Sequence, residues 1–233
     1  MSWKMRMANG TTAGVALFLC LGVPGSALRG THTAAASPQQ LDLAQRLASG
    51  GLRVVNREVT PLSERPGAVR LSERPGDGVA WIEGTNFGEG TIEIQVRGRD
   101  VFQQSFLGIA FNRTSDTSYE GVYIRPFNFR ATDPDRHQHA VQYIAVPDYN
   151  WPRLRKEFPE EFENPVDASV DPSGWLPLRV VVSSRSIQIF VGAVKTPTLE
   201  VRRLQTATGG SIGLWVGNNS NGDFADLVLT PAK

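Results

Sequence analysis

The chain has 233 residues, a formal net charge of +1 with both signs interspersed, 40% hydrophobic residues and one cysteine. That balance argues against a basic nucleic-acid footprint and a polybasic membrane surface, and the hydrophobic content is ordinary for a globular protein. With Cys20 as the only cysteine, disulfides, an all-thiolate metal site and cysteine nucleophilic catalysis are excluded downstream of it.

Residues 1–27 read as a secretory signal peptide. Lys4 and Arg6 give positive charge, residues 13–23 an apolar run too short to span a bilayer, Pro24 a break, and Gly25-Ser26-Ala27 a small-residue cleavage site. Ala34-Ala35-Ala36 is a second cleavage option. Cys20 would suit a lipoprotein signal, but Phe18 and Leu19 stand where that signal needs small residues. The expected location is secreted or periplasmic. About 200 residues remain after cleavage, enough for one large domain with its own core.

Residues 28–51 read as a linker or short helix, with Leu41, Leu43, Ala44 and Leu47 in a loosely helical pattern ended by Gly50-Gly51. The domain proper is expected over residues 52–233. SERPG occurs at 63–67 and again at 72–76, as similar turns around the strand AVRL. TIEIQVR then alternates cleanly: Ile92, Ile94 and Val96 face one way, Glu93, Gln95 and Arg97 the other. LPLRVVVS sends Leu176, Leu178, Val180 and Val182 inward, SIQIFVG does so with Ile187, Ile189 and Val191, and SIGLWVG with Ile212, Leu214 and Val216, leaving Trp215 on the other face. GVAWIEG, FLGIAF, YEGVYIRPF, AVQYIAV and DFADLVL are further strands; PRLRKEFPEEF is a short helical excursion. About ten strands without alternating helices predict an all-β antiparallel sandwich.

The stretch 119–151 concentrates Arg125, Asn128, His137, His139, Gln142, Tyr143, Tyr149 and Trp151. Sugar hydroxyls take bidentate donors and acceptors, and pyranose faces take flat aromatics. This segment is therefore the expected ligand surface, with Trp151 beside Tyr149 as the exposed platform and Trp215 as a further contact. Trp81 and Trp175 are expected in the core. Arg125 precedes Pro126, which holds its backbone extended. It is either a clamp on hydroxyls or a carboxylate, or a structural partner of Asp133 or Asp135. His137 and His139, two apart on a strand, would point the same way. With Asp133, Asp135 or Glu120 they would suit a divalent metal or proton transfer near neutral pH. The plainer alternative is an exposed polar loop turned by Pro134, so a metal cofactor stays open. Residues 217–223, GNNSNGD, read as a tight turn in preference to a calcium loop.

Together GVAWIEGTNFGEGTIEIQVRGRD, VFQQSFLGIAF, YEGVYIRPFNFR, HAVQYIAVPDYNW and SIGLWVGNNSNGDFADL resemble the concanavalin A-like lectin/glucanase superfamily. More narrowly they resemble the bacterial secreted family once called domain of unknown function 1080, associated with 3-keto-disaccharide hydrolases. The resemblance covers residue 52 to the C-terminus. It implies a jelly roll of two curved antiparallel sheets whose concave face or rim binds carbohydrate. A retaining glycosidase would carry two carboxylates about 5–5.5 Å apart, yet TIEIQVR offers only Glu93, with Gln95 two residues on. Two functions remain open: a carbohydrate-binding domain, or a 3-keto-glycoside-cleaving enzyme. In the second, His137 or His139 is the base and Arg125 or a metal polarises the ketone. A structural domain of a cell-surface system is a third alternative.

Overall fold

The alternating segments become strands in the computed structural model, which describes residues 37–205 and 209–232. The segment read as a signal peptide, with Cys20 and both cleavage options, lies outside the described residues. The chain opens with β1 (Gln39–Leu41), α1 (Leu43–Ala48), β2 (Leu52–Val55), β3 (Val59–Pro61), β4 (Val69–Leu71) and β5 (Gly78–Ile82). The long central strands follow: β6 (Gly90–Arg97), β7 (Leu107–Ser115) and β8 (Ser118–Ile124), then a 3-10 turn (Pro126–Asn128). Next come α2 (Pro134–Gln138), β9 (Val141–Val146), α3 (Trp151–Glu157) and β10 (Glu163–Asn164). The chain closes with β11 (Leu176–Val182), β12 (Ser186–Val191), β13 (Leu199–Arg202), β14 (Gly213–Val216) and β15 (Gly222–Pro231).

All strand pairs are antiparallel. One sheet runs β13-β12-β11-β6-β15-β4-β3, with β1 added beside β15; the other runs β10-β9-β8-β7-β14-β5-β2. This is the jelly-roll sandwich that the alternation and the resemblance predict. The core lies between the sheets. Ile92, Ile94, Val96, Leu178, Val180, Val182, Ile187 and Ile189 come from the first sheet, Ile109, Val122, Tyr143 and Leu214 from the second, all buried. Each such aliphatic side chain contributes about 1.5–3 kcal/mol by leaving water. Glu93 sits exposed on the outside of the first sheet, where alternation sends it.

Two segments differ from the sequence reading. Residues 39–48, read as linker or short helix, hold α1 and also a strand, β1, and they bury Leu41 and Leu43. Residues 134–138, read as strand or loop, form the helix α2. Asp133 caps it by accepting from Asp135 N at 3.0 Å, and Pro134 occupies the first turn.

The second sheet turns its outer face toward the loops. Alternation along β8 and β9 puts Tyr119, Tyr123, Gln142 and Ile144 on that face, and Glu120, Val122 and Tyr143 on the core side. On β14, Trp215 joins the outer set. In the sheet register Gly108 of β7 lies between Trp215 and Tyr123. With no side chain between them, the two rings close to 4.8 Å between centroids.

Candidate functional site

A cavity of about 650 Å³ opens over this outer face. Its floor is Tyr123, Ile144, Val146 and Trp215; its walls are the loop after β6, the 3-10 turn, α2, α3 and the loop after β14. The floor aromatics are nearly covered, Trp215 being 5% exposed. Trp215 Nε1 donates to Tyr119 Oη at 3.0 Å, and burial pushes the Tyr119 hydroxyl up to about 12. Two rim aromatics are open: Phe102 at 55% and Trp151 at 48%. A second groove, about 420 Å³, continues the first and shares Asp77, Val146 and Asn150 with it.

Arg125 is the polar centre. It follows β8 and precedes Pro126, with φ −123° and ψ 86°, outside the helical region that the proline disfavours for it. Its Nη2 donates to Tyr123 Oη at 2.8 Å and to Gln142 Oε1 at 2.7 Å, and its Nη1 donates to His139 O at 2.8 Å. Asn128 Nδ2 donates to the same His139 carbonyl at 3.1 Å. Asn128 Oδ1 and Gln142 Nε2 are buried without a hydrogen-bond partner among the described residues.

Glu163 of β10 joins three segments. Arg155 of α3 donates to it from Nε and Nη2 at 2.9–3.0 Å. His139 Nδ1 lies 2.9 Å from Oε1, at ion-pair distance but off the line of a hydrogen bond, and Arg125 Nη1 lies at 4.0 Å. Burial pulls the His139 imidazole below its ordinary value, with the neighbouring Arg155 and Arg125 adding to burial and Glu163 opposing it. His139 is therefore neutral at neutral pH. Burial likewise lowers the basicity of Arg125.

Of the residues singled out from the sequence, Arg125, Asn128, His139, Trp151 and Trp215 line the cavity, and Gln142 is buried against Arg125. Three lie elsewhere. His137 faces away, with Nε2 3.0 Å from Val166 O, because a helix does not align residues two apart as a strand does. Tyr143 is on the core side of β9, where its hydroxyl donates to Glu120 Oε1 at 2.5 Å. Tyr149 bridges Ala145, and Arg153 stacks on its ring at 4.8 Å. Arg125 is not paired with Asp133 or Asp135, as one sequence reading had it. Glu120 is not available to His139: it is fully buried with Arg203, whose Nη2 lies 2.7 Å away. Trp81 is buried as expected, though on the outer face against Tyr119; Trp175 is only partly buried, between Arg65 and Arg97. Residues 217–221 form the turn, and Asp223, already in β15, pairs with Arg70 and Arg97. Among the described residues no group of three His, Cys, Asp or Glu side chains is arranged to hold a metal.

The sequence reading missed Phe102, Arg136, Arg155 and Glu163. Arg155 carried a signal, since four residues after Trp151 in a capped helix it must share that residue's face. Its guanidinium lies 4.9 Å from the Trp151 ring. Asn150, the cap that starts this helix, accepts from Arg153 N at 3.1 Å.

No protein-family model and no curated protein matches the chain. Among solved structures the fold is well represented. The carbohydrate-binding module CBM66 from Bacillus subtilis aligns with TM-score 0.54 and 12% identity, over 76% of this chain and 93% of that one. A Bacillus subtilis protein of unknown function with a galectin-like fold gives 0.56 and 10%, over 82% and 94%. The VIP36 exoplasmic/lumenal domain in its Ca2+/mannose-bound form gives 0.53 and 14%, over 82% and 88%. At these identities the likeness is one of fold: the chain is a concanavalin A-like jelly roll. The narrower likeness to the 3-keto-disaccharide hydrolase family gains nothing from these matches.

Proposed function

We propose that the protein is an exported carbohydrate-binding domain whose ligand seats in the cavity over β8, β9 and β14. One observation carries this reading. Open aromatic rings, Trp151 and Phe102, rim a cavity whose wall presents planar polar groups from Arg125, Asn128 and His139. Aromatic faces stack on the apolar side of a pyranose, while amide and guanidinium groups meet its hydroxyls. The unfilled acceptor on Asn128 suits a hydroxyl donor. Similar folds in CBM66 and in mannose-bound VIP36 are compatible with it. Export rests on the composition of residues 1–27, and no helix among the described residues is long and apolar enough to cross a membrane. An N-terminus at Leu28 or Ser37 in protein from the native host would bear it out.

The test is a glycan array followed by calorimetry on the hits. Trp151→Ala should weaken binding by about 2 kcal/mol, the scale of an aromatic anchor. Tyr149→Ala, outside the cavity, should change it by less than about 0.5 kcal/mol. A wild-type protein that binds no glycan overturns the reading.

A second reading is favoured by His139 and Glu163. A neutral imidazole at the cavity wall, with the Glu163 carboxylate 2.9 Å from its Nδ1, has the chemistry of a general base. On a 3-keto-glycoside it would take the C2 proton as the C2–C3 enolate forms. Collapse of the enolate would then expel the C1 oxygen. Turnover of a 3-keto-disaccharide that His139→Gln abolishes without loss of binding would establish this; wild-type protein without turnover leaves binding alone.

A further inference from the structure

Guanidinium groups outnumber carboxylates along the lining of the cavity. Arg125, Arg136 and Arg155 line it, and the acid beside them is Glu163. Glu163 is engaged by Arg155 through three hydrogen bonds and reaches Arg125 only at 4.0 Å. Arg136 has no carboxylate at ion-pair distance among the described residues. Its Nη2 donates to Phe127 O at 3.2 Å, and its guanidinium lies 4.4 Å from the Phe102 ring centre. Its Nε is buried without an acceptor. Asp133 and Asp135, its neighbours in α2, do not line the cavity, and Asp133 is occupied in capping the helix. Asp77 belongs to the part of the cavity shared with the second groove. The His139 imidazole adds no positive charge at neutral pH, and it offers none of the negative charge that is lacking.

Withdrawing cations from water without equal counter-charge is unfavourable. Arg125 is buried in that condition, and its lowered basicity has the same cause. A planar anion entering the cavity would relieve it, because guanidinium groups bind carboxylates through paired, charge-assisted hydrogen bonds. We propose that the cavity selects an acidic carbohydrate, seating a sugar carboxylate against Arg136, with Arg125 and Arg155 adding positive charge from the same lining. This rests on the carbohydrate-binding reading above and names its ligand class. A sulfate ester offers similar chemistry, without the planarity that matches a guanidinium fork.

The experiment is calorimetry of the purified protein with three probe sets. The first is oligouronates from homogalacturonan, hyaluronan and alginate. The second is the same oligosaccharides after carboxyl reduction to neutral sugars. The third is sulfated galactan oligosaccharides with their desulfated forms. The expected result is that at least one oligouronate binds about tenfold or more tighter than its reduced form, the scale of one charge-assisted hydrogen bond. That preference should shrink as NaCl is raised. Arg136→Gln should erode the preference for the acid over the reduced form, in a protein whose thermal melt confirms folding. Reduced sugars binding as well as the acids would overturn the acidic-ligand proposal and leave the carbohydrate reading standing. Preference for the sulfated probes would overturn the carboxylate assignment. Failure of all three sets together with the neutral array would overturn both.

Discussion

At the scale of single residues, the deepest commitment in the molecule is outside the cavity. Glu120 is fully buried on the core side of β8, where Arg203 contacts it from Nε and Nη2, and Tyr143 Oη donates to it. Removing one partner of such a pair strands the other charge in the interior. Glu120→Ala should therefore cost about 3–5 kcal/mol in a urea melt. Replacing Glu120 and Arg203 together with apolar residues should cost clearly less, and equal losses would contradict the account. His139 gives a pH prediction. Its folded pKa lies below the ordinary value near 6.5, so the unfolded chain binds its proton more readily. Its contribution is present above about pH 6.5 and is lost as pH falls through the folded pKa. Between pH 7 and pH 5 the wild type should lose more stability than His139→Gln, as read from denaturant midpoints.

At the scale of elements, β7 sets the cavity floor by what it omits. A methyl group on Gly108 would strike the Val122 carbonyl oxygen and approach Tyr123 Cα at 2.6 Å. Both atoms are backbone of the neighbouring strand, so the strands would have to part. Gly108→Ala should destabilise the domain by about 1–3 kcal/mol and weaken glycan binding by spreading Tyr123 from Trp215. A variant with unchanged melt and affinity would contradict this. The same scale explains what the sequence made legible. TIEIQVR and LPLRVVVS announce their faces because each covers a core on one side only. The pattern also separates Gln142 from Tyr143, which are adjacent in one strand and cannot share a face. The helix of residues 134–138 is too short to show a period, and only Asp133-Pro134 marked it, as cap and first turn. Glu163 had no local signal, since its partners are fixed by three separate segments meeting in space.

At the scale of the whole molecule, the sandwich extends beyond the stretch of strong alternation. β1 pairs with β15 of the first sheet and α1 follows it, with Leu41 at 4% exposure and Leu43 at 0%. Deleting residues 37–48 removes both and uncovers their partners on β15. Two buried leucines at about 1.5–3 kcal/mol each suggest a loss of about 3–6 kcal/mol. A deletion variant that melts with the intact domain would show that the fold begins only at β2. The sheet order itself was not readable from the sequence. Alternation tells which side of a strand is buried, and strands distant in sequence, such as β6 and β15, pair for reasons of closure and packing.

The imbalance around Glu163 has a consequence for how this domain can change. One carboxylate serving two guanidinium groups and an imidazole leaves room for a second acid that would make the resting protein sturdier. Such a residue would also occupy the place an incoming anion needs. Selection for rigidity and selection for ligand capture therefore pull against each other at this wall. Screens for thermostable variants should recover new acids near Arg125 and Arg136, and those variants should be the ones that bind worst.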